Sequence, residues 1–214
     1  MKWENITLKQ FYEIQSILSV TDDWTALNLI DAIYNVDCQN LPVNQLSKFD
    51  ISFIKDEIPE VKLKKYYTLN GVKYNSNYDI TKVTVAQFID YQNYLKEPEI
   101  RLEKLLSVFF TPDGYKDYNV GYDIIKVQED LLTLPIDVAQ SIGFFFERQL
   151  RVFFRVFRYY LIKEVKTLKM EKNKKKELIQ NIKKMDFWGL VSYPTYLNTV
   201  KSQMKQYQQL CKKV

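Results

Sequence analysis

Phe144–Tyr160 reads FFFERQLRVFFRVFRYY. It sits inside Ile136–Lys169, a segment with no proline and a single glycine, so nothing in it interrupts a helix. At 100° per residue, Arg148, Arg151, Arg155 and Arg158 fall within an arc of about 80°. Ile142, Phe146, Leu150, Phe153, Phe157, Tyr160 and Leu161 fall on the far side, in a 4,3,4 apolar spacing. Adding Phe154 and Val156 widens the apolar arc to roughly 200°, more than an ordinary surface helix needs. The expectation is a helix nearly surrounded by protein, with one arginine ridge left out. Unbroken from Ile136 to Lys169, it would be about 50 Å long.

Composition sets the frame around this helix. The chain has 214 residues, 46% hydrophobic and 27% charged, which predicts a folded chain with a proper core. Fifteen per cent aromatics with five glycines and six prolines point to helices and few loops. No apolar run reaches the length that spans a bilayer, and MKWENITLKQ lacks the apolar core of a signal peptide. The expected location is therefore a cytoplasm, or a particle assembled there.

Recognisable chemistry is missing. Histidine is absent, which removes the commonest general base, the usual triads and most zinc sites. Cys38 and Cys211 match no metal or redox spacing and read as idle thiols. There is no glycine-rich phosphate loop. Asp22–Asp23 and Glu57–Glu60 contain acid pairs, but helix capping and solvated charge account for them. The expectation is no catalytic residue, no cofactor and no metal.

The net charge of +5 conceals a polarity. Residues 1–146 hold 14 Lys/Arg against 21 Asp/Glu (net −7), and residues 147–214 hold 17 against 5 (net +12). An acidic body with a basic extension suits head-to-tail assembly or an anionic partner.

Taken in order, Thr7 with Gln10 forms a capping-box pattern opening a first helix. A second helix follows Asp22–Asp23 and runs from Trp24 to Tyr34. Leu41-Pro42-Val43-Asn44 opens a short third helix ending near Asp50. Lys64–Tyr74 reads as a β-hairpin turning at Asn70-Gly71. Then the opening pattern returns. Val83–Leu95 aligns without gaps with Ile6–Leu18, with Thr, Gln, Phe, Gln and Leu identical at five of 13 positions. An apolar helix follows at Ile100–Phe110, and Leu134-Pro135-Ile136-Asp137 echoes Leu41-Pro42-Val43-Asn44. We read an internal duplication with the hairpin as connector. The second copy is longer, adding a turn at Thr111–Tyr115, a helix at Asp123–Leu132 and the long final helix.

The predicted fold is mainly α: a duplicated helical body with one connecting β-hairpin and a long C-terminal helix. Its parts are a helical repeat (1–60), the hairpin connector (61–80), a second repeat ending in the long helix (81–162), and a basic helical extension (163–214). Within the extension, Glu171–Lys176 is the expected break or hinge. Leu178, Ile182, Met185 and Trp188 return an amphipathic stripe, and a last helix starts at Thr195.

The candidate partner-binding residues are Arg148, Arg151, Arg155, Arg158, Lys166 and Lys169. Arginine forks pair with carboxylates and phosphates, so this ridge suits an acidic protein surface or a nucleic-acid backbone. A merely solvated helix face would look the same. The run Phe144–Phe146 reads as core.

Several of these pieces resemble small proteins from the structural modules of tailed bacteriophages, with the crAss-like and other Bacteroidetes phages closest in flavour. They are Trp3, Ile-Thr-Leu-x-Gln-Phe, Leu-Pro-Val-Asn, the tyrosine-rich Asn-Gly hairpin, Val-Thr-Val-x-Gln-Phe-Ile-Asp and Leu-Pro-Ile-Asp-Val-Ala. The lysine, asparagine and tyrosine bias fits an AT-rich genome. The resemblance covers residues 1–162 and implies a non-enzymatic virion neck, tail or packaged component, or a tail-assembly chaperone. Its implied partners are other phage structural proteins and copies of itself, without a membrane. The alternative from charge alone is a nucleic-acid-binding accessory protein making non-specific DNA contacts.

Overall fold

A computed structural model describes residues 1–20, 24–167 and 172–184. The architecture is mainly α with one small antiparallel sheet. Two helices, α1 (Leu8–Ser19) and α2 (Thr25–Tyr34), pack together, and the four-residue α3 (Val43–Leu46) follows. α3 stops short of the expected end near Asp50; a separate 3-10 turn at Ser52–Lys55 buries Phe53 and Ile54. The proposed capping of α2 by Asp22–Asp23 lies outside the described residues.

Strands β1 (Tyr66–Leu69) and β2 (Val72–Ser76) form the expected hairpin, with Leu69 opposite Val72. Asn70 and Gly71 both hold positive φ, 49° and 79°, as a two-residue turn matched to strand twist requires. The helices α4 (Val85–Leu95) and α5 (Leu102–Ser107) come next. The helix expected to reach Phe110 ends sooner. Phe110–Pro112 is instead a third strand, β3, paired antiparallel with β2. Its Phe110 is fully buried, and Pro112 occupies an edge strand, where a missing N–H is tolerated. The hairpin is thus part of a three-stranded sheet, β1-β2-β3. Asp123 caps α6 (Ile124–Leu131) by accepting from the Ile125 N–H, and α7 runs Ile136–Thr167.

The two capping boxes form alike. Thr7 and Thr84 have N-cap angles of −75°, 160° and −74°, 162°. In each, the glutamine three residues on also reaches the far end of the next helix. Gln10 Nε2 donates to the Ile33 carbonyl of α2 (3.1 Å), and Gln87 Nε2 donates to the Val108 carbonyl beyond α5 (2.7 Å). A 3-10 turn precedes both boxes, at Trp3–Asn5 and Ile80–Lys82.

One contiguous core joins residues from both segments, from Trp3, Leu8 and Ile14 to Leu106, Phe110 and Phe146. Trp3 meets Phe11 and Phe53 edge-on and donates its Nε1–H to the Asp56 carbonyl (3.0 Å). A buried carboxylate locks the sheet to α6. Asp130 accepts from the Tyr74 hydroxyl (2.5 Å), Asn70 Nδ2 (2.8 Å) and Lys126 Nζ (2.8 Å). A second carboxylate, Glu103, accepts from the Tyr12 hydroxyl (2.7 Å) and pairs with Arg101, tying α1 to α5.

Beyond α7, α8 (Lys172–Lys184) packs back on the long helix, with Val165 and Ile182 buried and Lys175 Nζ donating to the Lys166 carbonyl. The break expected at Glu171–Lys176 comes earlier: α7 ends at Thr167, and α8 is already helical from Lys172. Lysines spread around a helix repel weakly in water, and Ile182 supplies an apolar anchor that offsets them. Met185, Trp188 and the last expected helix lie outside the described residues.

Candidate functional site

The long helix has two halves with different surroundings. In its first half, Ile136, Ala139, Ile142, Phe146 and Leu150 are buried, and Phe109 stacks on Phe146 with ring centroids 3.6 Å apart. Phe144 and Phe145 are half-buried against the same core, as expected for this run. The Ser141 hydroxyl accepts from the Val61 N–H at 2.9 Å, clamping the preceding loop to the helix. α5, α1 and the two 3-10 turns before the capping boxes pack around this half.

From Val152 onward, several described side chains depart from the expected helix nearly enclosed by protein. Val152, Val156, Tyr159 and Tyr160 are 56%, 49%, 68% and 59% exposed. At 1.5 Å per residue the 32-residue helix covers about 48 Å, and Leu150 is the last buried residue of its first half; the side chains of Phe153, Phe154 and Phe157, also on the expected apolar arc, lie outside what the structure describes. Toward the far end, Val165 is covered, where α8 packs.

The proposed arginine ridge is not uniform. Arg148 is exposed but already engaged, with Nη1 and Nη2 donating to the Glu60 carboxylate at 3.2 and 3.3 Å. Both side chains are more than half in water, so this pair contributes under about 1 kcal/mol and can exchange partners cheaply. Arg155 and Lys166 are exposed, while Arg158 is half-buried. The Arg151 side chain and Lys169 lie outside what the structure describes.

The exposed face of the outer half follows a different line from the ridge. Arg148, Val152, Arg155, Tyr159, Lys163 and Lys166 repeat at 4,3,4,4,3 and fall within about 80°. All six are exposed. Cations thus alternate with a valine and a tyrosine along one face, with Val156 and Tyr160 beside it. Sequence reasoning picked out the arginines and passed over Val152 and Tyr159. Both lie between the arginine ridge and the apolar arc, so neither grouping contains them. α8 adds Lys172, Lys174, Lys176 and Lys183, all exposed.

Such a face binds by burying apolar and aromatic area while cations find acidic partners on the rim. Among the described residues, no group of three or more Asp, Glu or Cys could hold a metal ion, and no helix is long and apolar enough to cross a membrane. Cys38 is buried, and that burial, with Asp31 beside it, pushes its thiol up to about 11, away from the reactive thiolate form. No protein-family model, curated protein or solved structure matches the chain.

Proposed function

We propose that the chain is a non-enzymatic structural or assembly component of a tailed-phage particle, acting through protein–protein contact along the outer half of α7. One observation carries the reading. A helix anchored by Phe146 and Leu150 presents exposed Val152, Tyr159 and neighbouring cations along one face beyond its buried half. Exposed aromatic and aliphatic side chains in a row mark interaction surfaces more than scattered ones do. The surrounding charge selects an acidic partner, and the acidic first 146 residues of a neighbouring copy would serve as well as another virion protein. The resemblance of residues 1–162 to phage structural modules supplies the setting.

Mass spectrometry of particles purified from the phage that encodes the chain tests the virion role. Several copies of the chain per particle are expected. Its absence would remove that role and leave a tail-assembly chaperone, which acts before the particle is complete.

A second reading rests on the exposed lysines of α8 together with Arg155, Lys163 and Lys166. These would hold a nucleic-acid backbone without reading its sequence, with affinity falling steeply as salt rises. A gel-shift titration of duplex DNA at low salt decides it: no binding there, or binding unchanged when Arg155, Lys163 and Lys166 become glutamine, rejects this reading.

A further inference from the structure

Among the described residues, a strand-like bridge joins the start of α1 to the start of α7, and a twin of the same bridge is unmade. In the made bridge, Thr7 lies opposite Pro135. The Leu8 N–H donates to the Leu134 carbonyl (2.8 Å), and the Ile136 N–H donates to the Ile6 carbonyl (2.8 Å). Four side chains are sealed by it: Ile6 and Leu8 are 0% exposed, Leu134 1% and Ile136 2%.

The twin segments are Val83-Thr84-Val85 and Leu41-Pro42-Val43. They repeat the residue pattern and the backbone. Thr84 holds the angles of Thr7 to within 2°, and the Val83 N–H closes a 3-10 turn on Ile80 as the Ile6 N–H does on Trp3. The Leu41 N–H closes on Cys38 as the Leu134 N–H does on Leu131. Leu41 and Val83 are extended, and Pro42 sits at φ −59°, ψ 136°. Yet these two segments do not meet. Val43 is 83% exposed and Val85 76%, where their counterparts Ile136 and Leu8 are buried. Among the described residues, the Val43 and Val85 N–H groups and the Leu41 and Val83 carbonyls have no hydrogen-bond partner.

We propose that a second copy of this chain completes the bridge, with Leu41–Val43 of one molecule pairing antiparallel with Val83–Val85 of the next. The internal bridge shows what occupies such a segment: the other half of the same pattern. Each molecule uses one opening and one closing segment internally and offers one of each outward. The contact is heterologous, so it can add copies one after another. Pairing would satisfy two donors and two acceptors and cover the two valines, as the internal bridge does for its own residues. None of these residues belongs to the outer half of α7, so loss of either surface leaves the other testable.

Sedimentation velocity of the purified full chain, from micromolar concentration up to about 1 mM, reads the association directly. Val43→Asp and Val85→Asp place a charge in the bridge while substituting exposed positions at the start of a helix, where aspartate is tolerated. Circular dichroism and thermal melts confirm that each variant folds. The expected results are concentration-dependent association of the unmodified chain, and monomers for each variant alone. A mixture of the two variants should restore a pair, because Val43→Asp keeps a sound Val83–Val85 and Val85→Asp keeps a sound Leu41–Val43. A monomeric unmodified chain at every concentration, association unaffected by either substitution, or a mixture that stays monomeric overturns the proposal.

Discussion

Replacing Asp130 with alanine is the sharpest test of how the body holds together. The carboxylate is fully buried and accepts hydrogen bonds from Tyr74, Asn70 and Lys126. Lys126 is 57% exposed, so its ion pair adds under about 1 kcal/mol. The Tyr74 hydroxyl decides the magnitude. It is buried with its ring, and without Asp130 it loses a charge-assisted bond of about 1.5–3 kcal/mol and stays desolvated. With the Asn70 bond added, the expected loss is about 3–5 kcal/mol. That corresponds to about 10 °C in melting temperature for a chain of this size.

The loss should depend on pH. Burial pushes the Asp130 carboxyl up, but the hydrogen bonds from Lys126, Tyr74 and Asn70 overcome it and hold the group below the usual carboxylate range. A depressed folded pKa stabilises fully above the unfolded value near 4 and stops doing so as pH falls through the folded value. Urea unfolding followed by tryptophan fluorescence should therefore show a wide gap between the parent chain and Asp130→Ala at pH 7. The gap should narrow at strongly acid pH. A loss below about 1 kcal/mol at pH 7, or a gap that stays constant into acid, would refute the claim that the ionised carboxylate locks the sheet to α6.

Two more outcomes follow from the same kind of accounting. Gln87→Ala should cost about 2–3 kcal/mol and Gln10→Ala about 1 kcal/mol in urea unfolding, because Gln87 is buried and holds a buried carbonyl while Gln10 is part-exposed. Burial raises the pKa of Asp137 at the start of α7, with Glu4 adding to it. Its contribution is therefore favourable below the unfolded pKa and lost as pH rises through the folded value. Asp137→Asn should keep the acceptor for the Val138 N–H and make the variant's stability fall less than the parent's as pH rises above about 4.

Local hydrogen bonding explains which features were legible in the sequence. Thr7 with Gln10, Thr84 with Gln87, and Asn70-Gly71 each settle their geometry within four residues, so each could be read directly. The reach of the two glutamines to Ile33 and Val108 could not, since it depends on how the next helix packs. Phe109–Phe110 reads as helix or strand by apolarity alone, and only pairing with Ser76 and Asn75 selects the strand. Nothing in the sequence marks Asp130 as buried, because Tyr74 and Asn70 lie 56 and 60 residues away. Along α7, periodicity fixed which residues share a face. It could not say where the surrounding protein stops, and so it placed Val156 and Tyr160, which stand in solvent, on the enclosed side. For the same reason it could not see Arg148 folded onto Glu60.

The exposed face of α7 is proposed to dock on a partner during particle assembly. The most direct measurement is incorporation into purified particles of the parent chain and of a variant carrying Val152→Asp and Tyr159→Asp, quantified by mass spectrometry. Both positions are more than half exposed, so the variant should melt and fold like the parent. The account predicts that the parent chain is present in every preparation and the variant is excluded, falling at least about tenfold, as the loss of two buried contact side chains would produce. A folded variant incorporated as well as the parent would contradict it.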